Sequence, residues 1–483
     1  MRALNRHSLL LAPLEADGSL TLQQQLYQRL RQAILNGQLA AGTRLPATRQ
    51  LAAELQVSRN TVIAVWSQLQ AEGFILSDRQ GSRVSRLAHT PLPAQASDDS
   101  ADWPVSARAA RLHSLHRLSS QELALRPSTP ALAHFPLAQW RRALNQTAQQ
   151  AQLLGYGDPL GELALREALA QHLALARGVR CAPQQIVITE GAQQALTLCV
   201  ALLTNRGDTG WVEEPGYRGA KAAMRLGDLQ IEPIAVDAQG LAPTAQDWQQ
   251  RPPRLIYTTP THQYPTGAIM SAARRLALLA AAQRHQAWII EDDYDSDFRY
   301  SGEPIAAMQG MAQPTPVIYI GSFSKTLFPA LRIGYMVLPA PLLPRLRPAL
   351  HELLRGGNRP EQQALALFLR SGDFNRHLSK MRRLYRQRQA TLRAALQETF
   401  GAQVPLLGGE CGMHLVLPLA DTVDDVALTA QLFRHGYAPG ALSGFYLGGQ
   451  KQQGLVLGYG NTSTSQIMAG VAQLARLLPG INP

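Results

Sequence analysis

Only four of the 46 basic residues are lysines, Lys221, Lys325, Lys380 and Lys451; the rest are arginines. Arginine binds anions well but stays protonated, so it cannot condense with a carbonyl, whereas a desolvated lysine can. Each lysine is therefore a candidate for such chemistry. The apolar run Val317–Gly321 reads as a strand and ends in Ser322-Phe323-Ser324-Lys325-Thr326, with Arg332 seven residues past the lysine. An amine buried among two hydroxyls and an arginine can lose its proton and condense with an aldehyde; a solvent-facing or salt-bridged lysine is the plainer alternative. The run Trp288–Asp292 ends in Glu291-Asp292-Asp293-Tyr294. If the backbone stays extended, Asp292 and Tyr294 point to the same side and reach one ligand; the alternative is an acidic loop that caps the next helix. Ile186–Thr189 runs into Glu190-Gly191-Ala192-Gln193-Gln194. A glycine turn opening a helix can cradle a phosphate on free backbone N–H groups, although many such turns bind nothing.

Positioning such groups needs a sheet. Ile186–Thr189, Trp211–Glu213, Leu255–Thr259, Trp288–Asp292, Val317–Gly321 and Ile333–Leu338 are strand candidates separated by helix-length segments, the pattern of a mostly parallel α/β sheet. Leu160, Ala164, Leu165, Ala168, Leu169 and Leu173 share one helical face. Residues 360–396 read as one long helical stretch leading into a smaller α+β segment. At 483 residues the chain holds two to four domains, and 46% apolar with 17% charged residues excludes wholesale disorder. Cys181, Cys199 and Cys411 are too few and too widely spaced for a disulfide framework or a zinc knuckle, and no metal site is expected. No apolar run approaches the roughly 20 residues of a membrane helix, and Leu9–Leu11 is cut short by Pro13, Glu15 and Asp17, so a cytoplasmic protein is expected.

The net charge of +12 favours a polyanionic partner, and residues 1–86 carry ten arginines against five acids. Within residues 20–86, Leu22–Leu35 is amphipathic, Thr48 is placed to cap a second helix, and Ser58 to cap a third over Arg59–Glu72. That is helix-turn-helix spacing, which sets Arg59, Asn60 and Thr61 against base edges. A hairpin, Phe74–Ser77 and Ser82–Ser85, turns through Arg79-Gln80-Gly81 as a basic wing. The runs Gly42-Thr43-Arg44-Leu45-Pro46-Ala47-Thr48-Arg49 and Val57-Ser58-Arg59-Asn60-Thr61-Val62 resemble the winged-helix domain of GntR-type transcription regulators. The resemblance implies DNA contacts by Arg44, Arg49, Arg59, Thr61 and Gly81. The Ala-, Pro- and Ser-rich stretch that follows, residues 87–125, is expected to be a flexible linker.

Residues 126–483 resemble the fold-type I pyridoxal 5′-phosphate enzymes, the aspartate-aminotransferase-like group. The resemblance implies that Lys325 forms the Schiff base, that Asp292 keeps the pyridine nitrogen protonated so that the ring is an electron sink, and that Tyr294 bonds the ring hydroxyl. It also implies a phosphate cup of Gly191, Ala192, Gln193, Ser322 and Arg332, with Tyr217 stacked on the ring. Gly155-Tyr156-Gly157-Asp158-Pro159-Leu160-Gly161 resembles a further loop motif of these enzymes. Two departures matter. His262-Gln263-Tyr264-Pro265-Thr266-Gly267 stands where aminotransferases have Asn-Pro-Thr-Gly, and Gly454–Tyr459 lacks the arginine that would clamp a substrate carboxylate.

A winged helix tethered to an aminotransferase-like domain resembles the MocR subfamily of GntR regulators. The fold class expected is thus multidomain, a winged helix-turn-helix followed by an α/β domain that binds pyridoxal phosphate. The function implied is a regulator that binds operator DNA and senses pyridoxal phosphate or a small amine or amino acid, as a head-to-tail homodimer, with control of vitamin B6 synthesis as a narrower reading. The alternatives are a working aminotransferase with an accessory head, and a cofactor-free scaffold used only to dimerise.

Overall fold

The computed structural model describes residues 13–15, 19–86, 103–112, 123–300, 302–303 and 305–478. They fall into two compact units, divided between Pro104 and Val105.

In the first unit, helix Leu22–Leu35 opens with a capping box in which Thr21 and Gln24 satisfy each other's backbone N–H groups. Leu26, Leu30 and Ile34 face inward from it, against Leu51 of helix Thr48–Glu54 and Val62, Val65 and Leu69 of helix Arg59–Ala71. Ser58 accepts from the Thr61 N–H at 3.1 Å, as its type suggests. Thr48 does not cap: Ala47 is the N-cap, and Thr48 is already the first helical residue. Strands β1 (Ile75–Asp78) and β2 (Gly81–Val84) pair antiparallel and form the hairpin.

The second unit carries an eight-stranded sheet. Its strands are β3 (Ile186–Thr189), β4 (Thr209–Glu214), β5 (Gln230–Asp237), β6 (Gly240–Leu241), β7 (Leu255–Thr258), β8 (Trp288–Asp293), β9 (Val317–Ser322) and β10 (Gly334–Val337), in the order β3-β10-β9-β8-β7-β4-β5-β6. The run from β9 through β8, β7 and β4 to β5 is parallel, and β10 is antiparallel to both neighbours. Near-continuous burial along β7, β8 and β9 matches their apolar sequences. A smaller sheet, β11 (His414–Pro418), β12 (Gly440–Ala441) and β13 (Gly454–Gly458), is ordered β11-β13-β12.

Several expectations change. The stretch 360–396 is two helices, Arg359–Arg370 and Asp373–Phe400, because Gly372 between them takes φ +75°, a left-handed conformation open to glycine. Leu160 lies before helix Leu163–Arg177 and packs with Val187 and Leu196, apart from the face formed by Leu165, Leu169 and Leu173. Of the expected linker, residues 87–102 and 113–122 lie outside the described residues. Its described parts are held: Arg111 pairs with Asp228 at 2.6 Å, and Ala124 and Leu125 are buried in the second unit, where the Leu125 N–H donates to Thr462.

Leu30 is fully buried in a unit of modest size. Leu30→Ala is expected to cost about 2–5 kcal/mol, against a total of roughly 3–9 kcal/mol for a domain of this length. DNA binding should fail, while calorimetry should show the transition of the second unit unchanged.

Candidate functional site

The carboxyl ends of the parallel strands surround a cavity of about 240 Å³, the place where open α/β sheets put their ligands. It is lined by Ser128, Ala192, Gln193, Tyr217, Tyr257, Tyr264, Asp292, Tyr294, Ser322, Ser324, Lys325, Pro329 and Arg332. Eight of the nine expected cofactor residues thus meet in one space. The ninth, Gly191, is the N-cap of helix Ala192–Leu203 with φ +93°, and a Cβ placed on it would lie 3.2 Å from the Arg332 guanidinium. Arg332 itself bends back, with φ +50°, and donates to the Glu190 carbonyl at 2.5 Å. The helix terminus and the guanidinium therefore converge on one anion-sized position. Gly334 keeps this corner tight, because a Cβ there would meet the Gly191 Cα at 2.6 Å.

Burial sets the charges. It lowers the Lys325 amine to about 8, although Asp295 and Asp292 pull it upward. It raises Asp292 to about 7, against the hydroxyl of Tyr257, which donates to Oδ2 at 2.9 Å. The other oxygen, Asp292 Oδ1, is buried without a hydrogen-bond partner. A protonated ring nitrogen is the donor such an acceptor needs. Tyr217 and Tyr257 are stacked at 6.2 Å between ring centres, and burial pushes both phenols up, so they stay protonated.

Tyr217 is flanked in the chain by two tied residues, Glu214 and Lys221. Glu214 accepts from Lys221 at 3.0 Å and from the backbone N–H groups of Leu447 and Gly448, while Lys221 also donates to the Phe445 carbonyl. The second buried lysine is thus an ion-paired structural group, the plainer reading in its case.

The two sequence departures have structural counterparts. Tyr264 occupies the position of the asparagine in the Asn-Pro-Thr-Gly motif and lines the cavity, while Gln263 ties Glu213, the Pro215 carbonyl and Thr266 together beneath it. Strand β13 brings no arginine. Arg218, on the neighbouring helix, donates to the Gly444 carbonyl and stacks its guanidinium 5.1 Å over Phe445, outside the lining. Sequence reasoning missed Ser128, Tyr257 and Pro329 and named Ser324 and Tyr264 only within their motifs; β7 is buried along its whole length, so no alternation singled out Tyr257. The described residues also hold one group with metal-capable donors, His262, Asp295 and Cys411, within 4.8 Å of one another. Burial keeps the Cys411 thiol protonated and the other two bond each other at 2.9 Å, which argues for an internal polar cluster over a metal centre.

In the first unit Arg49, Arg59 and Asn60 are exposed, the last two in the first turn of helix Arg59–Ala71. Thr61 is half-buried and shares a 2.9 Å hydrogen bond with Ser58. Arg44 donates to the Gln80 carbonyl, and its guanidinium lies 3.6 Å from where a Cβ on Gly81 would be, so these two groups adjoin at the wing.

Residues 22–84 match the family model described as "Bacterial regulatory proteins, gntR family", and residues 127–452 match "Aminotransferase class I and II". The chain is 36% identical over 471 residues to a probable rhizopine catabolism regulatory protein, MocR, of Rhizobium meliloti, covering 95% of this chain and 94% of that one. It is 30% identical over 455 residues to the pyridoxine biosynthesis transcriptional regulator PdxR of Corynebacterium glutamicum, covering 93% and 94%. Among solved structures, a kynurenine aminotransferase of Pyrococcus horikoshii aligns with TM-score 0.69 and 27% identity, over 77% of this chain and 96% of that one. The fold and site define a helix-turn-helix transcription regulator with an aminotransferase-like domain. The chain belongs to the MocR-like subfamily of the GntR family. Pyridoxal 5′-phosphate fits the donor set and is its cofactor: Arg332, Ser322 and the helix terminus suit the phosphate, Asp292 the ring nitrogen, and Lys325 the aldehyde.

With the Lys325 amine half-protonated at about 8, its uncharged fraction falls roughly tenfold per pH unit below that. The rate at which the apoprotein takes up pyridoxal phosphate, followed by visible absorption, should rise steeply to about pH 8 and then flatten; a flat profile from pH 6 to 8 would contradict this. Gly334→Ala should force Gly191 aside and weaken cofactor affinity at least tenfold, read by titrating the same band.

Proposed function

We propose that this regulator reads operator DNA through residues 22–84, with Arg44, Arg49, Arg59, Asn60, Thr61 and Gly81 at the contact, and reports occupancy of the Lys325 cavity to that head. The observation that carries the reading is the convergence of a poised amine, an unpartnered carboxylate oxygen and an anion cup in one cavity, in a chain with a GntR-type head. When bound, pyridoxal phosphate supplies an aldehyde that holds amines covalently and a ring that withdraws electrons. The chain's own groups do the rest: Lys325 offers the amine, Asp292 orients the ring nitrogen, and the tyrosines exclude water. A ligand shifts DNA affinity only if it binds the two states of the protein unequally.

The effector is pyridoxal phosphate itself or a small amine or amino acid. Relatives of similar coverage are named for rhizopine catabolism and for pyridoxine biosynthesis, so control of vitamin B6 synthesis is one candidate target among pathways that the effector would decide. A homodimer, head-to-tail, would present two heads to two half-sites. A regulator that works on operator DNA would act in the cytoplasm. A working aminotransferase is the second reading, favoured by the intact Lys325 and Asp292. Against it stands the lack of an arginine on β13, where the clamp for an amino-acid carboxylate is expected, with Arg218 spent on Gly444 and Phe445.

The deciding experiment titrates the protein against its own upstream DNA with and without pyridoxal phosphate and candidate amines, alongside an assay of amino-donor turnover. A changed DNA affinity without sustained turnover supports the regulator reading; repeated turnover with unchanged affinity overturns it. Arg59→Ala should weaken specific DNA binding about ten- to a hundredfold and leave the cofactor band intact; equal loss of both in a folded protein would refute the assignment of Arg59 to DNA.

A further inference from the structure

Beside the cavity, three buried or half-buried polar side chains share a single nitrogen. His262 Nδ1 lies 2.9 Å from Asp295 Oδ1 and 2.8 Å from the Tyr294 hydroxyl. His262 and Asp295 are each 2% exposed, and His262 Nε2 and Asp295 Oδ2 have no partner of their own. The imidazole and phenol rings lie nearly parallel, 26° apart with centres at 5.7 Å. Leaving two buried polar atoms unsatisfied is costly, and such groups persist where their neighbours use them.

An imidazole nitrogen in this geometry is either a donor or an acceptor. With a proton on Nδ1, His262 donates to the Asp295 carboxylate, and Tyr294, which burial keeps protonated, finds no acceptor there. Its O–H is then free to turn toward the cavity that it lines. With Nδ1 bare, the phenol donates to the ring and the cavity loses a donor. Tyr294 and Asp295 are adjacent in sequence, so one backbone turn sets both distances. We infer that Asp295, acting through His262, directs the phenolic proton of Tyr294 into the cavity, toward the ring oxygen of bound pyridoxal phosphate. Asp295 and His262 are on this basis positioning residues. The inference rests on the cofactor reading given above.

The other charged or titratable groups facing this pair are Asp293 and Lys325, which act on Asp295 at longer range, Cys411, His414 on β11, and the phenols of Tyr264, Tyr300 and Tyr459, all raised by burial and so protonated. Burial lowers His414 to about 3, so it stays neutral and adds no competing charge at working pH.

The test follows the pH at which the bound cofactor's absorption band changes. A hydrogen bond donated to the ring oxyanion favours the deprotonated form, so losing it raises the midpoint. Removing the Asp295 charge alone would lower the midpoint, because one anion fewer helps to hold the proton. Asp295→Leu should therefore raise the midpoint in the wild-type background and leave it unchanged or lower it in a Tyr294→Phe background. The two shifts should differ by about one pH unit, a tenfold change in the proton equilibrium. Equal shifts in both backgrounds would overturn the inference, as would a wild-type band whose midpoint Asp295→Leu fails to raise. If Asp295→Leu does not fold, Asp295→Asn, which still accepts from Nδ1, is read in the same two backgrounds. A smaller difference of the same sign is expected, and its absence would equally overturn the inference. Absence of any band in the wild type would sink the cofactor reading instead.

Discussion

Removing one primary amine from water is the constraint on which the rest of the second unit depends. An exposed lysine near its usual range is almost entirely charged at neutral pH and has no lone pair to offer. Enclosure brings Lys325 down to about 8, and the same enclosure would be ruinous without compensation. The carboxylates of Asp292 and Asp295 provide that compensation from one side. On the other, Arg332 is kept at the phosphate corner, tied to the Glu190 carbonyl. Carboxylates thus hold the amine up while Arg126 and Arg332 push it down, and Arg332 also stands where an anion must land.

Geometry at the sheet edge makes this possible. Because β7, β8 and β9 run parallel, their carboxyl ends deliver Tyr257, Asp292 and Ser322 to one rim. Inserting the antiparallel β10 between β9 and β3 brings Gly334 against Gly191, so the phosphate turn and Arg332 close on each other. Behind the rim, buried polar pairs such as Gln263 with Glu213 and His262 with Asp295 hold the lining by hydrogen bonds rather than by apolar packing. Such polar layers rigidify a site when their members find partners.

The parts of this arrangement visible in the sequence were those with short-range causes. Apolar runs bounded by turns located six strands within a residue or two at each end, and the scarcity of lysine singled out Lys325 before any fold was known. β5 was not visible, because its mixed burial and Pro233 break the alternation expected of a strand. Thr48 has the chemistry of a cap, yet the chain enters the helix one residue earlier. Gly372 reads as a tolerable helix residue until its backbone sign is known. Tyr264, His262 and Asp295 were beyond reach for another reason: 33 residues separate the last two, and only the parallel pairing of β7 with β8 brings together the segments that follow them. The head was legible because its caps, turn and glycine signals agree at every level.

The near-replacement of lysine by arginine has a chemical consequence beyond binding anions. Aldehydes attack whatever free amines a protein displays, and most proteins display many. Here Lys221 is locked in an ion pair with Glu214, and Lys380 and Lys451 are the two that stand exposed. A reactive carbonyl meeting this surface finds guanidinium groups almost everywhere, and these do not form imines. Selectivity for a single address is thus achieved partly by subtraction, through the amines the chain does without.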